Sequence, residues 1–209
     1  MKFLKNNLLL FFSVISFLGF GQTYVYQEEF NGTNNWPTGN NDTRELSVYN
    51  GRYYFDHKRT TESWRVSTAD FTLSDSDDFE IETAIEKISG VQDYGISFLY
   101  DYKDENNYKE FGITANGYYR VAESVGGTYS TLQAWVTSSF LKTGNYASNV
   151  LKITKKGTSV TFYINGSYVY STTHKSIVGK KLAIQLYRNQ KVSVDYLRVT
   201  KTSTVINNN

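Results

Sequence analysis

The sequence predicts an all-β fold, an antiparallel sandwich of the jelly-roll kind, and three observations carry that expectation. Short runs alternate apolar and polar residues with a period of two, as in Leu151 to Thr154 and Val160 to Asn165, and that period puts successive side chains on opposite faces of a pleated strand. Turn residues separate the runs, above all Asn-Gly at positions 50–51, 116–117 and 165–166. Asn and Gly tolerate the positive φ of a tight hairpin turn. Composition agrees: eighteen tyrosines and thirteen phenylalanines against one proline favour strands over helices.

The elements follow in order. Thr23 to Phe30 reads as a first strand, and a polar loop then runs to about Thr43. Leu46 to Tyr49 and Arg52 to Asp56 flank Asn50-Gly51 as a type I′ hairpin. Trp64 to Phe71 is another strand. After a turn at Asp75 to Asp78, Phe79 to Ile88 sets Phe79, Ile81 and Ile85 on one side and Glu80, Glu82 and Glu86 on the other. Tyr94 to Tyr102, Tyr108 to Ala115 and Tyr118 to Val125 come next, and Gly126-Gly127 is expected to open a loop reaching Trp135. Leu151 to Tyr170 reads as a three-stranded meander. Leu182 to Tyr187 and Val192 to Thr200 close the fold, and residues 203–209 read as a polar tail.

Residues 1–21 read as a leader. Lys2 and Lys5 precede an apolar run from Leu8 to Phe20, and Gly19 and Gly21 supply small residues before an expected cleavage ahead of Gln22. The run is shorter than the ~20 residues that span a bilayer, so the expectation is a secreted chain, periplasmic or extracellular, without membrane insertion. About 188 residues remain, enough for one sandwich spanning residues 22–202. Lys2 and Lys5 account for the whole formal charge of +2, so the mature chain is neutral. Neutrality removes the electrostatic reason to expect nucleic acid as a partner. With no cysteine, the fold rests on its core rather than on disulfides. Three Asn-x-Ser/Thr sequences, at Asn31, Asn41 and Asn165, match the glycosylation pattern but read better as ordinary turns.

Both ends of the chain resemble one family. EEFNGTNNW (Glu28 to Trp36) and VDYLRVT (Val194 to Thr200) look like the opening and closing strands of the concanavalin A-like lectin/glucanase sandwich, including its laminin-G-like members and the laminarinase and lichenase branch, glycoside hydrolase family 16. The resemblance covers about Thr23 to Thr200 and implies a fold shared by sugar binders and sugar-cleaving enzymes. In the enzymes it implies a nucleophilic Glu, an Asp and an acid/base Glu on one strand, at i, i+2 and i+4 or i+5. Here Glu80, Glu82 and Glu86 share a face, but the middle acid is Glu, Ala84 stands at i+4 and the third acid is at i+6. The three read better as a polar row on an amphipathic strand than as a catalytic set. The resemblance also implies a structural Ca²⁺ near the Gly51 carbonyl and Asp195, since calcium takes oxygen ligands. His57 and His174, the only histidines, have no cysteine to join them in a zinc site.

Sugar binding needs flat aromatic rings and polar groups that reach hydroxyls. Tyr163, Tyr187, Gln185 and Glu82 fall on outer faces by alternation, and Trp64, Arg65 and Trp135 complete the candidate set. The expected function is therefore glycan binding without catalysis, by attachment to a glycan or cell-surface polymer. A glycoside hydrolase, including the 3-keto-disaccharide type, and a protein-binding or adhesion module are the alternatives. The second requires two close carboxyls in a cleft; the third requires neither carboxyls nor exposed aromatic platforms.

Overall fold

The structure, a computed structural model, describes residues 20–32, 36–67 and 70–204. The expected leader up to residue 19 and residues 205–209 lie outside the described part. Fifteen strands are formed: β1 (Phe20–Glu28), β2 (Gly39–Asn40), β3 (Arg44–Tyr49), β4 (Arg52–His57), β5 (Ser63–Ser67), β6 (Phe79–Gly90), β7 (Ile96–Asp104), β8 (Asn107–Ile113), β9 (Tyr118–Val125), β10 (Thr128–Thr137), β11 (Ser148–Lys156), β12 (Ser159–Ile164), β13 (Ser167–Thr173), β14 (Lys181–Tyr187) and β15 (Gln190–Thr204). These fifteen strands, counted among the described residues, build two antiparallel sheets. The larger runs β13-β12-β11-β6-β15-β4-β3-β2, with β1 also on β15; the smaller runs β10-β9-β8-β7-β14-β5.

The last strand is the centre of the larger sheet. Along one side β15 pairs with β6 from Gln190 to Lys201. Along the other it pairs with β4 as far as Val194 and with β1 from Leu197 onward. The change of partner falls where its register against β6 shifts between Val194 and Leu197, a bulge of the kind that bends a strand and redirects its side chains. Asn50 (φ 48°) and Gly51 (φ 69°), like Asn165 (φ 51°) and Gly166 (φ 81°), adopt the expected pair of positive φ values.

Alternation places the core between the sheets. Leu151, Ile153, Val160, Phe162, Ile164, Val192, Val194 and Val199 of the larger sheet meet Ile96, Phe98, Phe111, Ile113, Val121, Leu182, Ile184 and Leu186 of the smaller. The Phe162 ring is central, with Phe111 at 5.2 Å, Tyr170 at 6.0 Å and Tyr100 at 6.1 Å. Each large side chain buried in this way contributes about 1.5–3 kcal/mol. Along one side of the sandwich the two sheet edges are tied together. Tyr119 of the smaller sheet donates its hydroxyl to the Val169 carbonyl of β13 (2.9 Å), and Tyr170 of the larger donates to the Leu132 carbonyl of β10 (3.0 Å).

Three elements differ from expectation. The expected loop to Trp135 is the ten-residue strand β10; Gly126 (φ 58°) and Gly127 (φ 80°) make a tight turn that returns the chain alongside β9. Strand β5 is described over Ser63–Ser67, and Phe71, expected at its end, packs into the core outside any strand. At the end of the chain, Ser203 and Thr204 are paired with Gly21 and Phe20, so the ladder continues beyond the expected start of the tail.

Candidate functional site

Both outer faces are polar by alternation, and the smaller sheet buries a carboxylate and an amide on its outer face. On β8, Phe111 and Ile113 point into the core, so Tyr108, Glu110 and Gly112 stand on the outer face of the smaller sheet. Glu110 is nevertheless completely buried, and so are Ser97 and Gln185 on the same face. Long side chains from the neighbouring strands lie over them.

The register lays out the floor. Arg65 of β5 is opposite Gln185 of β14, Gln185 opposite Ser97 of β7, Ser97 opposite Gly112 of β8, and Gly112 opposite Arg120 of β9. These five positions form one row across five strands, about 19 Å from end to end at the usual strand spacing. Glu110 sits one step to the side. Its Oε1 accepts hydrogen bonds from the Ser97 hydroxyl and from Arg120 Nε (3.1 Å) and Nη2 (2.9 Å). Its Oε2 accepts from Arg120 Nη2 (3.1 Å) and the Tyr129 hydroxyl (3.3 Å). Removing a carboxylate from water is costly unless it is both paired and hydrogen-bonded, and here both requirements are met. At the other end of the row, Arg65 Nε donates to Gln185 Oε1, and its guanidinium lies 5.3 Å from the Tyr108 ring.

Aromatic rings form the surface above this floor. Trp135, on the edge strand β10, is 38% exposed and reaches back over β9 and β8. A side chain at Gly112 would meet the indole at 3.3 Å, and one at Gly95 would meet it at 3.6 Å and the Tyr187 ring at 3.2 Å. The two glycines therefore leave the space in which Trp135 and Tyr187 lie against the sheet. The Arg120 guanidinium is 4.7 Å from Trp135, 5.8 Å from Tyr129 and 6.0 Å from Tyr187. Burial first, and the Glu110 charge second, hold the hydroxyls of Tyr129 and Tyr187 above the ordinary phenol range. Both stay protonated at neutral pH and can donate hydrogen bonds.

The structure brings together Tyr187, Gln185, Arg65 and Trp135 from the sequence-predicted set and separates the others. Tyr163 and Glu82 lie on the outer face of the larger sheet, because β12 and β6 belong to it. Trp64 adjoins Arg65 and so takes the opposite face; it packs against the core, with the Arg44 guanidinium 3.6 Å from its ring. Glu80, Glu82 and Glu86 line the larger sheet as ion-paired groups. Lys152 is 3.6 Å from both Glu80 and Glu82, Tyr196 donates to Glu82 (2.8 Å), and Arg52 is 3.1 Å from Glu86. Sequence reading missed Glu110, Ser97, Arg120 and Tyr129. The available signal was the β8 alternation Tyr108, Glu110, Gly112, which places an acid beside a glycine on the polar face.

At the corner expected to hold calcium, the Val194–Tyr53 pairing carries Asp195 toward Arg52 and the Asn50-Gly51 turn. A side chain at Gly51 would meet Asn31 Oδ1 at 2.6 Å. Calcium would need six to eight oxygen ligands there. Among the described residues no three His, Cys, Asp or Glu side chains group as a metal site. A different cavity lies at one open end of the sandwich, lined by Phe71, Phe79, Tyr100 and Ile177 and by the Asp101–Lys109 pair. Its interior is about 30 Å³.

No protein-family model and no curated protein sequence matches the chain. Solved structures do match in shape. A Bacillus subtilis protein with a galectin-like fold aligns with TM-score 0.65 and 12% identity over 90% of this chain and all of that one. The endo-β-1,3-glucanase of Pyrococcus furiosus aligns with TM-score 0.61 and 13% identity over 88% and 96%. The carbohydrate-binding module CBM66 of Bacillus subtilis aligns with TM-score 0.54 and 14% identity over 84% and 94%. The architecture is the concanavalin A-like β-sandwich.

Proposed function

We propose that this chain is a secreted glycan-binding protein that holds its ligand on the outer face of the smaller sheet and does not cleave it. The observation that carries the reading is the exposed indole of Trp135 lying on a glycine floor beside Tyr187, over a fully satisfied polar layer. A ring platform next to hydrogen-bonding groups fits a pyranose, which has an apolar face and a rim of hydroxyls. The architecture shared with a glucanase and a carbohydrate-binding module supports the same class, while fold alone does not assign a function.

The chemistry argues against cleavage. Glycoside hydrolysis by double displacement uses two carboxyls about 5 Å apart. On β8 the outward positions after Glu110 are Gly112 and Thr114, so the family-like spacing offers one acid. Both oxygens of that acid are committed to Arg120, Ser97 and Tyr129. The test is a panel of insoluble glucans, galactans and mannans. Retention on one of them, lost in Trp135→Ala and with no reducing ends released, is the expected result. Release of reducing ends that disappears in Glu110→Gln would replace binder with enzyme. Neither retention nor release on any polymer would favour a protein-binding module.

The Gly51–Asp195 corner is proposed as a structural calcium site. Calcium at 100 times its dissociation constant should then stabilise the fold by about 2.7 kcal/mol, read as a rise in Tm that Asp195→Asn removes. An unchanged Tm in excess calcium would remove the site.

A further inference from the structure

We propose that Lys87 and Gln190, buried outside the binding face, are positioning residues that hold its platform in place. The proposal rests on the reading of that face as the ligand site. Lys87 is 3% exposed and Gln190 1%. The Lys87 ammonium donates to the Val91 carbonyl (2.6 Å) and to Gln190 Oε1 (2.8 Å). Gln190 Nε2 in turn donates to the carbonyls of Gly95 (2.9 Å) and Tyr187 (2.6 Å). One buried chain of hydrogen bonds therefore grips both the 91–95 segment and the end of β14. Gly95 lies beneath both the Tyr187 ring and the Trp135 indole, at 3.2 and 3.6 Å from an added Cβ.

Two further features favour positioning over simple core filling. Among the described residues no carboxylate pairs with this lysine; its partners are a carbonyl and an amide. A buried ammonium without a counter-charge is costly, so an apolar side chain would serve a purely structural purpose better. Desolvation accordingly lowers its pKa to about 8. The second feature is the closeness of the chains. At Gly90 (φ 91°) an added Cβ would lie 2.4 Å from the Asn189 carbonyl, so β6 leaves the sheet in direct contact with the β14–β15 turn. Val91 N also donates to that carbonyl (3.0 Å).

The test separates this proposal from the glycan reading by measuring the platform without ligand. Protein labelled with 5-fluorotryptophan gives three signals, from Trp36, Trp64 and Trp135, and the Trp135→Phe variant assigns the third. Lys87→Met removes the donor, and Gln190→Glu keeps the Lys87 partner while losing both bonds to Gly95 and Tyr187. In both variants the Trp135 signal should shift or broaden while Trp36, in the opposite sheet's aromatic cluster, stays in place. If Trp135 is unmoved in folded Gln190→Glu protein, or Trp36 moves as far as Trp135, the proposal is overturned. On a polysaccharide retained by the wild type, Gln190→Glu should weaken retention about tenfold. If the wild type retains on none, the glycan reading falls, and the fluorine signals still decide whether the two residues position the platform.

Discussion

The two outer faces of the sandwich use similar residues to opposite ends. On the larger sheet, strands β11 and β12 alternate buried and half-exposed positions residue by residue. Their polar side chains pair with neighbours such as Glu80 and Lys152 while staying in contact with water. On the smaller sheet, β7, β8 and β14 are buried along most of their length, although no strand of the described chain covers their outer face. Arginine and aromatic side chains supply the cover. A hydrophilic face costs little to maintain in solvent, whereas a desolvated one needs every polar atom matched. The second kind of face is preorganised for a ligand, because its groups are already aligned and dry.

Substituting one acid on each face tests that contrast most strongly. Glu110→Gln leaves the Arg120 charge without its carboxylate in a buried layer, and should destabilise the protein by about 3–5 kcal/mol. Glu80→Gln removes a partly solvated pair and should change stability by less than about 1 kcal/mol. Urea unfolding measures both, and equal costs would abolish the distinction. Next in size is the pH dependence of the Lys87 layer. Its folded pKa near 8 lies below the unfolded value of 10.5, so between those values the unfolded chain binds more protons and stability rises with pH. The gain should be on the order of 2 kcal/mol and absent in Lys87→Met; a flat profile in the wild type would show the lysine to be solvated.

Ring removal comes third. Trp135→Ala or Tyr187→Ala should weaken retention on a bound polysaccharide by about 1–3 kcal/mol, a range taken from aromatic stacking on bases. Tyr163→Ala, on the larger sheet, should have no effect, and a loss there equal to that of Trp135 would put the ligand on the wrong sheet. The smallest effect is expected at the floor. Gly112→Ala would place a methyl group 3.0 Å from Glu110 Oε1 and 3.3 Å from the indole. It should cost about 1 kcal/mol in stability and raise Trp135 from the sheet, seen as increased acrylamide quenching.

Much of the architecture was legible because a strand advertises itself locally. Asn-Gly turns and a period of two located the hairpins at 50–51 and 165–166 and the core residues on either side. What was not legible depends on pairing between distant strands. Alternation tells that Tyr163 and Tyr187 both point away from the core, but it assigns neither to a sheet, so they were grouped although they lie on opposite surfaces. The Thr128–Thr137 strand was taken for a loop because Gly126-Gly127 opens it and Leu132, Ala134 and Trp135 do not keep a strict alternation. The register shifts between Thr131 and Gln133 and between Gln133 and Val136 are the physical cause. Glu110 escaped because burial of an acid depends on Arg120, Tyr129 and Ser97, which three other strands contribute.

The position of β15 also sets the order of events in folding. The strand that forms the middle of the larger sheet follows the other described strands in sequence, and its partners β1, β4 and β6 lie far before it. Pairings of such long sequence separation form slowly, because the entropy of closing large loops is lost before contacts reward it. The larger sheet therefore cannot be assembled on the ribosome while residues 190–204 are still inside the exit tunnel. A truncation before Gln190 would leave β6 and β4 without their β15 partner and so as open edges.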